Sequence, residues 1–438
     1  MKLAQLFSIY SQLNWGESAH KDIDLVTDDS RLATEGSVFV AVKGISNDGH
    51  QFLPQVCELP VAAVVVEDAS GVPDSYQGSV VVVPDSVTAI HQLCSRFYGN
   101  VVDQLKFFGV TGTNGKTSIS YFVEHLLNHA GVATGVMGTI DHHFQSHKWD
   151  SQLTSPPPAP MHKRFAEFHA LGARVVAMEV SSHALDQRRV EGVPFDVVAI
   201  SNLTRDHLDY HGTMEAYRAA KQRLFAQVPL IFPERATLGL LNADDDNSKN
   251  FRTEGCQKVW TYGQASADFQ FKVIDSSIAG TQFFLSTPRG ESEFEVPLPG
   301  LHNVYNAVAA IAVAVAFDVS LAHCAEGLKS FTGVPGRLQL VPEVQGCRVF
   351  VDYAHTDDAL RSVLQSLVRL KSTDANFKRL TVVFGCGGDR DQGKRALMGQ
   401  VASELADRVI VTSDNPRSED PGKIIGDIMQ GIDPTQVK

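Results

Sequence analysis

The sequence predicts an α/β protein of several domains, and three observations carry that reading. A β-rich run, "LKFFGV" (105–110), enters a glycine-rich loop and then a helix-like stretch, "TSISYFVEHLLNHAG", that closes on Gly131. Two further apolar runs, "ARVVAMEV" and "DVVAISN", alternate with helical stretches, the pattern of a parallel sheet covered by helices. Three later strand-then-loop units, "CRVFVDYAH", "RLTVVFGCGG" and "DRVIVTSDN", with helices between them, predict a second, Rossmann-like sheet.

Taken in order, residues 1–103 mix short β-rich runs, "SVFVAVKG" and "VAAVVVE", with turn clusters such as "SNDG". The central part, 104–335, holds the glycine-rich loop and the first parallel sheet. Within it, "AVAAIAVAVAF" (307–317), bounded by Asn306 and Asp318, is too short to span a membrane and reads as a core helix. The glycine- and proline-rich "FTGVPGRLQLV" (331–341) predicts a linker, which sets a third domain at 336–438. At 438 residues, a prior of about 150 per domain also gives roughly three.

Composition excludes several function classes. A net charge of -12 argues against duplex binding, because phosphate contacts need clustered lysine and arginine. The start, "MKLAQLFSIYSQLNW", has neither a continuous apolar region nor a small-residue cleavage site, so no secretory signal is inferred. Six scattered cysteines without a C-x-x-C pair suggest reduced thiols, and together these features predict a cytoplasmic protein.

The loop "GTNGKTS" (112–118) carries the chemistry. Gly112 and Gly115 let the backbone approach phosphate oxygens, and the following helix aims its N–H groups at negative charge. Lys116 is expected to reach the outer phosphates and Thr117 to offer its hydroxyl to Mg²⁺. The strict phosphate-loop pattern wants glycine where Val110 stands, so the loop is expected to start later and be tighter. A strand-to-helix turn that holds nothing would share the glycines, but the strand before and the helix after favour phosphate. No guanine-reading N-K-x-D stretch follows, which argues against a GTPase switch, whereas a transport or motor ATPase stays open on this loop alone. Downstream, Glu179 ends a strand as a metal carboxylate would. "TRDHLDYH" packs Asp206, His207, Asp209 and His211 closely, and capping with surface polarity is the plain alternative for that cluster. A zinc hydrolase on His207 and His211 lacks the glutamate of H-E-x-x-H.

Six segments in order, "GVTGTNGKTS", "EVSSHALDQRRV", "SNLTRDHLDYHGTMEAYRAAKQRLF", "LPGLHNVYNA", "GVPGRLQLV" and "DYAHTDDAL", resemble the Mur ligases. These are ATP-dependent amide-forming enzymes of peptidoglycan synthesis. The resemblance implies three domains: one for a UDP-muramoyl substrate, a central phosphate-loop ATPase and a C-terminal domain for the amino acid. ATP would phosphorylate the substrate carboxylate, and an amine would then displace phosphate. The resemblance further implies that Gly112, Thr113, Asn114, Gly115, Lys116, Thr117 and Ser118 hold ATP with Asn303, Asn306, Arg337 and Asp352. Thr117, Glu179, His207 and Lys221 would serve the metal, Lys221 as a carbamate, since an ammonium cannot contact a cation. Lys116, Lys221 and His207 are the implied catalytic set. One departure stands out: Asp357 replaces the proline that usually follows "DYAHT".

Further segments resemble the branch that adds meso-diaminopimelate. Asp28, Ser30 and the loop Ile45–Ser46–Asn47 fall where the UDP-sugar is held, and Thr154, Ser155, Ser181, Gln187 and Arg189 where the nascent peptide lies. In "SDNPRSEDP", Asp414, Asn415, Pro416 and Arg417 would meet the amino acid, with Arg417 gripping its far carboxylate and Arg390 the other end. A lysine-adding relative and a non-catalytic nucleotide-binding module are the alternatives, and a folate-polyglutamate ligase would lack the N-terminal domain. A monomer without nucleic-acid or membrane partners is expected. The family continues to a "GKGHE" stretch that completes the amino-acid pocket, and none occurs here. The 438-residue chain is therefore expected to hold nucleotide and UDP-substrate, to ligate weakly, and to be least stable in its C-terminal domain.

Overall fold

The computed structural model describes residues 1–10, 16–45, 47–342, 344, 346–373, 377–433 and 435. The chain forms two compact units. The first contains residues 1–108, 133–196 and 227–235, and the second contains 109–132, 197–226 and 236 onward.

The first unit opens with α1 (Leu3–Leu6), β1 (Leu25–Thr27), β2 (Ser37–Val40), α2 (Leu53–Val56), β3 (Ala63–Val66), β4 (Ser79–Val82) and α3 (Ser86–Phe97). The four strands pair in parallel in the order β1-β2-β3-β4. Every residue of β2 and β3 is buried, which is why their letters read as unbroken apolar runs rather than an alternation. Val38, Val40 and Val65 face one core with Ile90 and Leu93 of α3. Phe39, Val64 and Val66 face a second core with Leu53 and Val56. Asp85 caps α3, accepting from the backbone N–H groups of Val87 and Thr88.

Strand β5 (Lys106–Thr111) carries the chain out of this unit into α4 (Lys116–His129). The chain returns through β6 (Thr134–Met137), β7 (Asp141–Phe144), β8 (His147–Asp150), α5 (Pro158–Ala170), β9 (Val175–Glu179) and α6 (Ser182–Asp186). Here β9 and β6 are parallel, but β7 and β8 extend them as an antiparallel hairpin.

In the second unit come β10 (Val197–Ile200), α7 (Leu208–His211), α8 (Met214–Ala226), β11 (Leu238–Asn242), β12 (Lys258–Gly263), β13 (Phe269–Ser277), β14 (Gly280–Thr287) and β15 (Gly290–Val296). Strands β10 to β13 pair in parallel, and β13, β14 and β15 continue antiparallel. The sheet expected to be purely parallel thus carries an antiparallel extension. Helix α9 (Leu301–Ala316) is the expected core helix, begun upstream at Leu301, and α10 (Leu321–Lys329) follows.

Beyond it lie β16 (Gln339–Val341), β17 (Val349–Val351), α11 (Asp357–Thr373), β18 (Thr381–Phe384), α12 (Gly393–Leu405), β19 (Arg408–Val411) and α13 (Pro421–Met429). Part of the expected linker is therefore a strand, because β16 pairs antiparallel with β17. Strands β18 and β19 pair in parallel as a separate ladder. Apolar faces of α11, α12 and α13 (Leu360, Leu364, Met398, Val401, Ile424, Ile428) make the local core. Among the described residues no helix is long and apolar enough to cross a membrane.

Candidate functional site

The glycine-rich loop joins β5 to α4, and its two glycines are forced by geometry. Gly112 has φ +139° and a Cβ there would sit 1.9 Å from the Ser201 hydroxyl. Gly115 has φ +87° and a Cβ would sit 2.6 Å from Asn306 Oδ1. The loop is pinned from the segment that follows β10: Asn114 N–H donates to Asn202 Oδ1 at 3.0 Å, and Thr113 Oγ1 donates to Thr204 O at 3.0 Å. The ammonium of Lys116 folds over the loop, donating to the carbonyls of Gly112 and Thr113 at 2.9 Å each. Lys221, buried on α8, donates to the same Gly112 carbonyl at 2.8 Å. Burial, and then the charge of Lys116, push the Lys221 pKa well down, against the opposing charge of Asp206.

A cavity of about 240 Å³ opens beside this loop. Asn114, Gly115, Ser118, Asn303, Asn306, Arg337 and Asp352, all named from the sequence, line it. Arg337 donates to the Thr117 hydroxyl at 2.9 Å and lies over the Tyr353 ring. Asp352 accepts from the backbone N–H groups of Leu338 and Ala354, so its carboxylate braces the chain as well as facing the cavity. Burial raises its pKa, and those two bonds oppose the rise. Sequence reasoning missed Asp244, Tyr305 and Asp358 here. Tyr305 donates to Asp244 at 2.6 Å, and Asp358 accepts from the Asn114 side chain at 3.1 Å. A signal existed for each of them, and Asp358 stands inside "DYAHTDDAL". Tyr305 stands inside "LHNVYNA", and Asp244 begins a triple carboxylate just after β11.

Asp206 is buried beside His207, His355 and Lys394, at 3.4, 3.5 and 3.9 Å. Burial opposes its ionisation, but the His355 contact and the neighbouring positive charges outweigh that and hold its carboxyl well below the usual range. His207 itself caps α7 in a left-handed conformation, φ +53°.

In the first unit, the residues expected to meet the peptide form one hydrogen-bonded cluster. Ser155 Oγ donates to Glu179 O at 2.9 Å and accepts from Ser181 N–H at 3.1 Å. Arg189 donates to Ser155 O at 3.1 Å and also contacts Gln187 Oε1. Thr154 shares a hydroxyl contact of 3.0 Å with Thr139, which donates from both N–H and Oγ1 to the Glu179 carboxylate. Burial raises the pKa of Asp28, and the charge of Arg189 works against that rise. Ser30 begins a short 3₁₀ turn, and Ile45 and Asn47 sit on an exposed loop closed by Gly44 N–H on Asn47 O. Ser46 lies outside the described residues.

Back in the second unit, the loops holding Arg390 and Asp414–Arg417 interlock. Gly388 N–H donates to Asn415 O at 2.9 Å, and Arg417 Nη1 donates to Gly388 O at 2.8 Å. A Cβ at Gly388 would fall 1.9 Å from Pro416 O. Pro416 is half-buried, and Arg390, Asp414, Asn415 and Arg417 are exposed. Fully buried Arg395, which the sequence did not single out, clamps Glu419 through both terminal nitrogens and also reaches Asp427.

Of the four residues expected to serve the metal, Thr117, His207 and Lys221 lie in the second unit and Glu179 in the first. Thr117 and Glu179 offer oxygens that suit Mg²⁺. His207 offers nitrogen, and Lys221 would offer oxygen only if carbamylated. Among the described residues no cluster of three or more histidine, cysteine or acidic side chains forms a ready metal cage.

Comparison with known proteins matches the Mur ligase middle domain to residues 110–314 and the Mur ligase glutamate ligase domain to 336–438. The chain is 40% identical to a UDP-N-acetylmuramoyl-L-alanyl-D-glutamate–2,6-diaminopimelate ligase of Bacillus licheniformis, covering 99% of this chain and 87% of the relative. It is 41% identical to the same-named protein of Geobacillus thermodenitrificans, again over 99% and 87%. A solved structure of a protein with that name has a TM-score of 0.71 and 33% identity, covering 99% of this chain and 86% of the other.

Proposed function

The chain belongs to the Mur ligase family, and we propose that it joins meso-diaminopimelate to the D-glutamate of UDP-N-acetylmuramoyl-L-alanyl-D-glutamate at the expense of ATP. The observation that carries the choice of substrates is the identity of about 40% along nearly the whole chain to ligases bearing that name. In this reading the division of labour follows domains at 1–103, 104–335 and 336–438. The work is done by a cytoplasmic monomer on soluble substrates.

A carboxylate resists attack by an amine until one of its oxygens becomes a good leaving group. The D-glutamate carboxylate oxygen attacks the γ-phosphorus of ATP, and ADP departs. The amine of the amino acid then adds to the acyl-phosphate carbonyl, loses a proton, and inorganic phosphate leaves with its bonding pair. The chain's own groups bind and orient in both steps. The loop 112–118 and Lys116 cradle phosphates, Arg337 sits beside Thr117 to meet the terminal phosphate, and Asn303 and Asn306 face the base. Thr154, Ser155, Ser181, Gln187 and Arg189 hold the peptide carboxylates, with Asp28, Ser30 and the 45–47 loop on the UDP side. Mg²⁺ held by Thr117, Glu179, His207 and a carbamate on Lys221 would neutralise charge between the two anions. Lys221 reaches that carbamate when its neutral amine adds to CO₂ and a proton leaves.

The direct test supplies purified protein with ATP and UDP-muramoyl dipeptide and adds single amino acids while phosphate release is followed. Release with meso-diaminopimelate and not with lysine is expected. Release with lysine instead would overturn the amino-acid assignment, and release with neither would overturn the ligase reading for this chain.

A further inference from the structure

In the first unit, the two residues that open α3 reach two separate loops. Ser86, fully buried, accepts from the Lys43 backbone N–H at 3.0 Å and donates to Glu67 Oε1 at 2.7 Å. That bond fixes the start of the loop that carries Ile45 and Asn47, which Lys43 closes by bridging to Asp48. Asp85, its neighbour, receives the guanidinium of Arg188 as a fork, at 3.2 Å from Nη1 and 2.6 Å from Nη2. Arg188 Nε donates to Glu191 at 2.7 Å, and the Arg188 carbonyl accepts from His91 of the same α3 at 3.2 Å. Burial opposes ionisation of Asp85, yet the Arg188 and Thr88 bonds outweigh it and bring its pKa down to about 2.

The backbone at Arg188 makes this ion pair more than a surface contact. Arg189 N–H donates to Ala184 O at 2.8 Å and Arg188 N–H to Leu185 O at 3.2 Å, which closes α6 as a Schellman turn. The residue after the helix cap in that turn is left-handed, and Arg188 has φ +59°. Glycine is the usual occupant because it alone adopts that conformation without strain. An arginine there accepts the strain and contributes a side chain. Its flanking residues are Gln187 and Arg189, of which Arg189 donates to Ser155 O and also contacts Gln187 Oε1.

We propose that Asp85 and Ser86 form a bracket that sets the two halves of the UDP-muramoyl-peptide site, with Asp85 and Arg188 as positioning residues for the peptide half. Ser86 holds the uridine-side loop, and the Asp85–Arg188 pair holds Gln187 and Arg189 at one spacing from it. The inference rests on the substrate reading given above, which assigns those loops to the UDP-peptide.

Two substitutions remove the bracket while sparing the fold. Arg188→Gly places the preferred residue in the Schellman turn, and Asp85→Ser keeps an N-cap for α3. Titration calorimetry on the full chain with UDP-N-acetylmuramoyl-L-alanyl-D-glutamate should show Kd rising about fivefold in each, the scale of one part-exposed ion pair. The double variant should be no worse than either single one. Binding of a non-hydrolysable ATP analogue and of UDP alone should be unchanged, and Asp85→Glu should restore most of the peptide-substrate affinity. Unchanged affinity in both variants, while Arg189→Ala weakens it, would overturn the bracket. Equal losses for the ATP analogue would also overturn it, since they would mark a general loss of structure. If Arg189→Ala leaves binding of the peptide substrate untouched, the failure lies with the site reading instead.

Discussion

Lys221 is an amine in a place that resists its charge. It is wholly buried, its pKa is pushed well down, and it points at the carbonyl of Gly112 in the phosphate loop. A solvated helix lysine would have none of these properties, and its burial lowers the cost of reaching the neutral amine that the proposed carbamate requires. Lys221→Ala should therefore cut ligation on the order of hundredfold while thermal unfolding stays near that of the parent. Short-chain carboxylates should restore part of the rate, and full activity without them would sink the carbamate. Arg417 poses a different question, because one guanidinium nitrogen already holds Gly388 O. The side chain thus stands fixed at the loop edge, ready for a carboxylate with its planar fork. Arg417→Ala should lower kcat/KM for meso-diaminopimelate at least about tenfold with little change for ATP, the low end for a charged contact because the residue is exposed. An equal loss for ATP would point to a collapsed loop rather than a lost contact.

At the scale of elements, α3 and α5 meet through a histidine pair. His91 Nε2 faces the Arg188 carbonyl, which only accepts, so that nitrogen carries the proton and Nδ1 is left to accept from His162 Nε2, 3.4 Å away. Among the described residues His162 Nδ1 finds no partner. Burial pushes His91 down to about 4, with Arg188 and Asp85 as its charged neighbours, and pushes His162 well below the usual imidazole range with His91 beside it. Both are therefore neutral in the fold and take up protons readily once unfolded. Their contribution to stability is complete above about pH 6.5 and is lost as pH falls toward about 4, with a slope of up to about 1.4 kcal/mol per pH unit for each. Urea midpoints should drop between pH 7 and 5, and His162→Gln should flatten that slope. A midpoint that holds steady over this range would contradict the neutral pair. This contact was invisible in the sequence, since nothing in the letters relates residue 91 to residue 162. What the letters do show is local. The β5–loop–α4 unit could be read because glycines at fixed offsets break a strand into a helix, and β2 and β3 because burial on both faces favours runs such as "VFVAV" and "AAVVV" over an alternation. The β13–β15 meander went unread although Phe269, Phe271, Phe283, Leu285, Phe294 and Val296 keep the period of two on its buried face. Its polar outer face diluted that signal. The site follows the same rule. Motif residues around the cavity were legible, whereas Asp85, Arg188 and Arg395 act through partners tens of residues away or through a helix side that looks solvated.

Across the whole chain, the units of structure differ in how much sheet supports them. In the second unit, β10 to β15 form one continuous run of strands, with α9 buried among them. The ladders β16–β17 and β18–β19 have two strands each, a size that is marginal without packing. Apolar side chains along them stay open to solvent: Val351 is 49% exposed and Val383 60%. A cavity of about 1240 Å³ is lined by β17, β18 and α11, and among the described residues β17 pairs with β16 alone and β18 with β19 alone. The helices behind them are better placed, since Leu360, Leu364, Met398, Val401 and Ile428 close a core of their own. Opening should therefore begin at the strand edges and reach the helical core later. Amide hydrogen exchange at neutral pH should proceed in that order, with β17 and β18 first, α11 and α12 next, and β10 to β12 last. A ligase tolerates such a gradient if the glycine-rich loop sits on the stable sheet and the loops proposed to meet the amino acid sit on the weaker ladder, where binding can order them. Adding the amino acid with both other substrates should then slow exchange in 381–420 more than in 106–131. Protection that is equal in β11 and β18 before any ligand is added would remove the basis for this gradient.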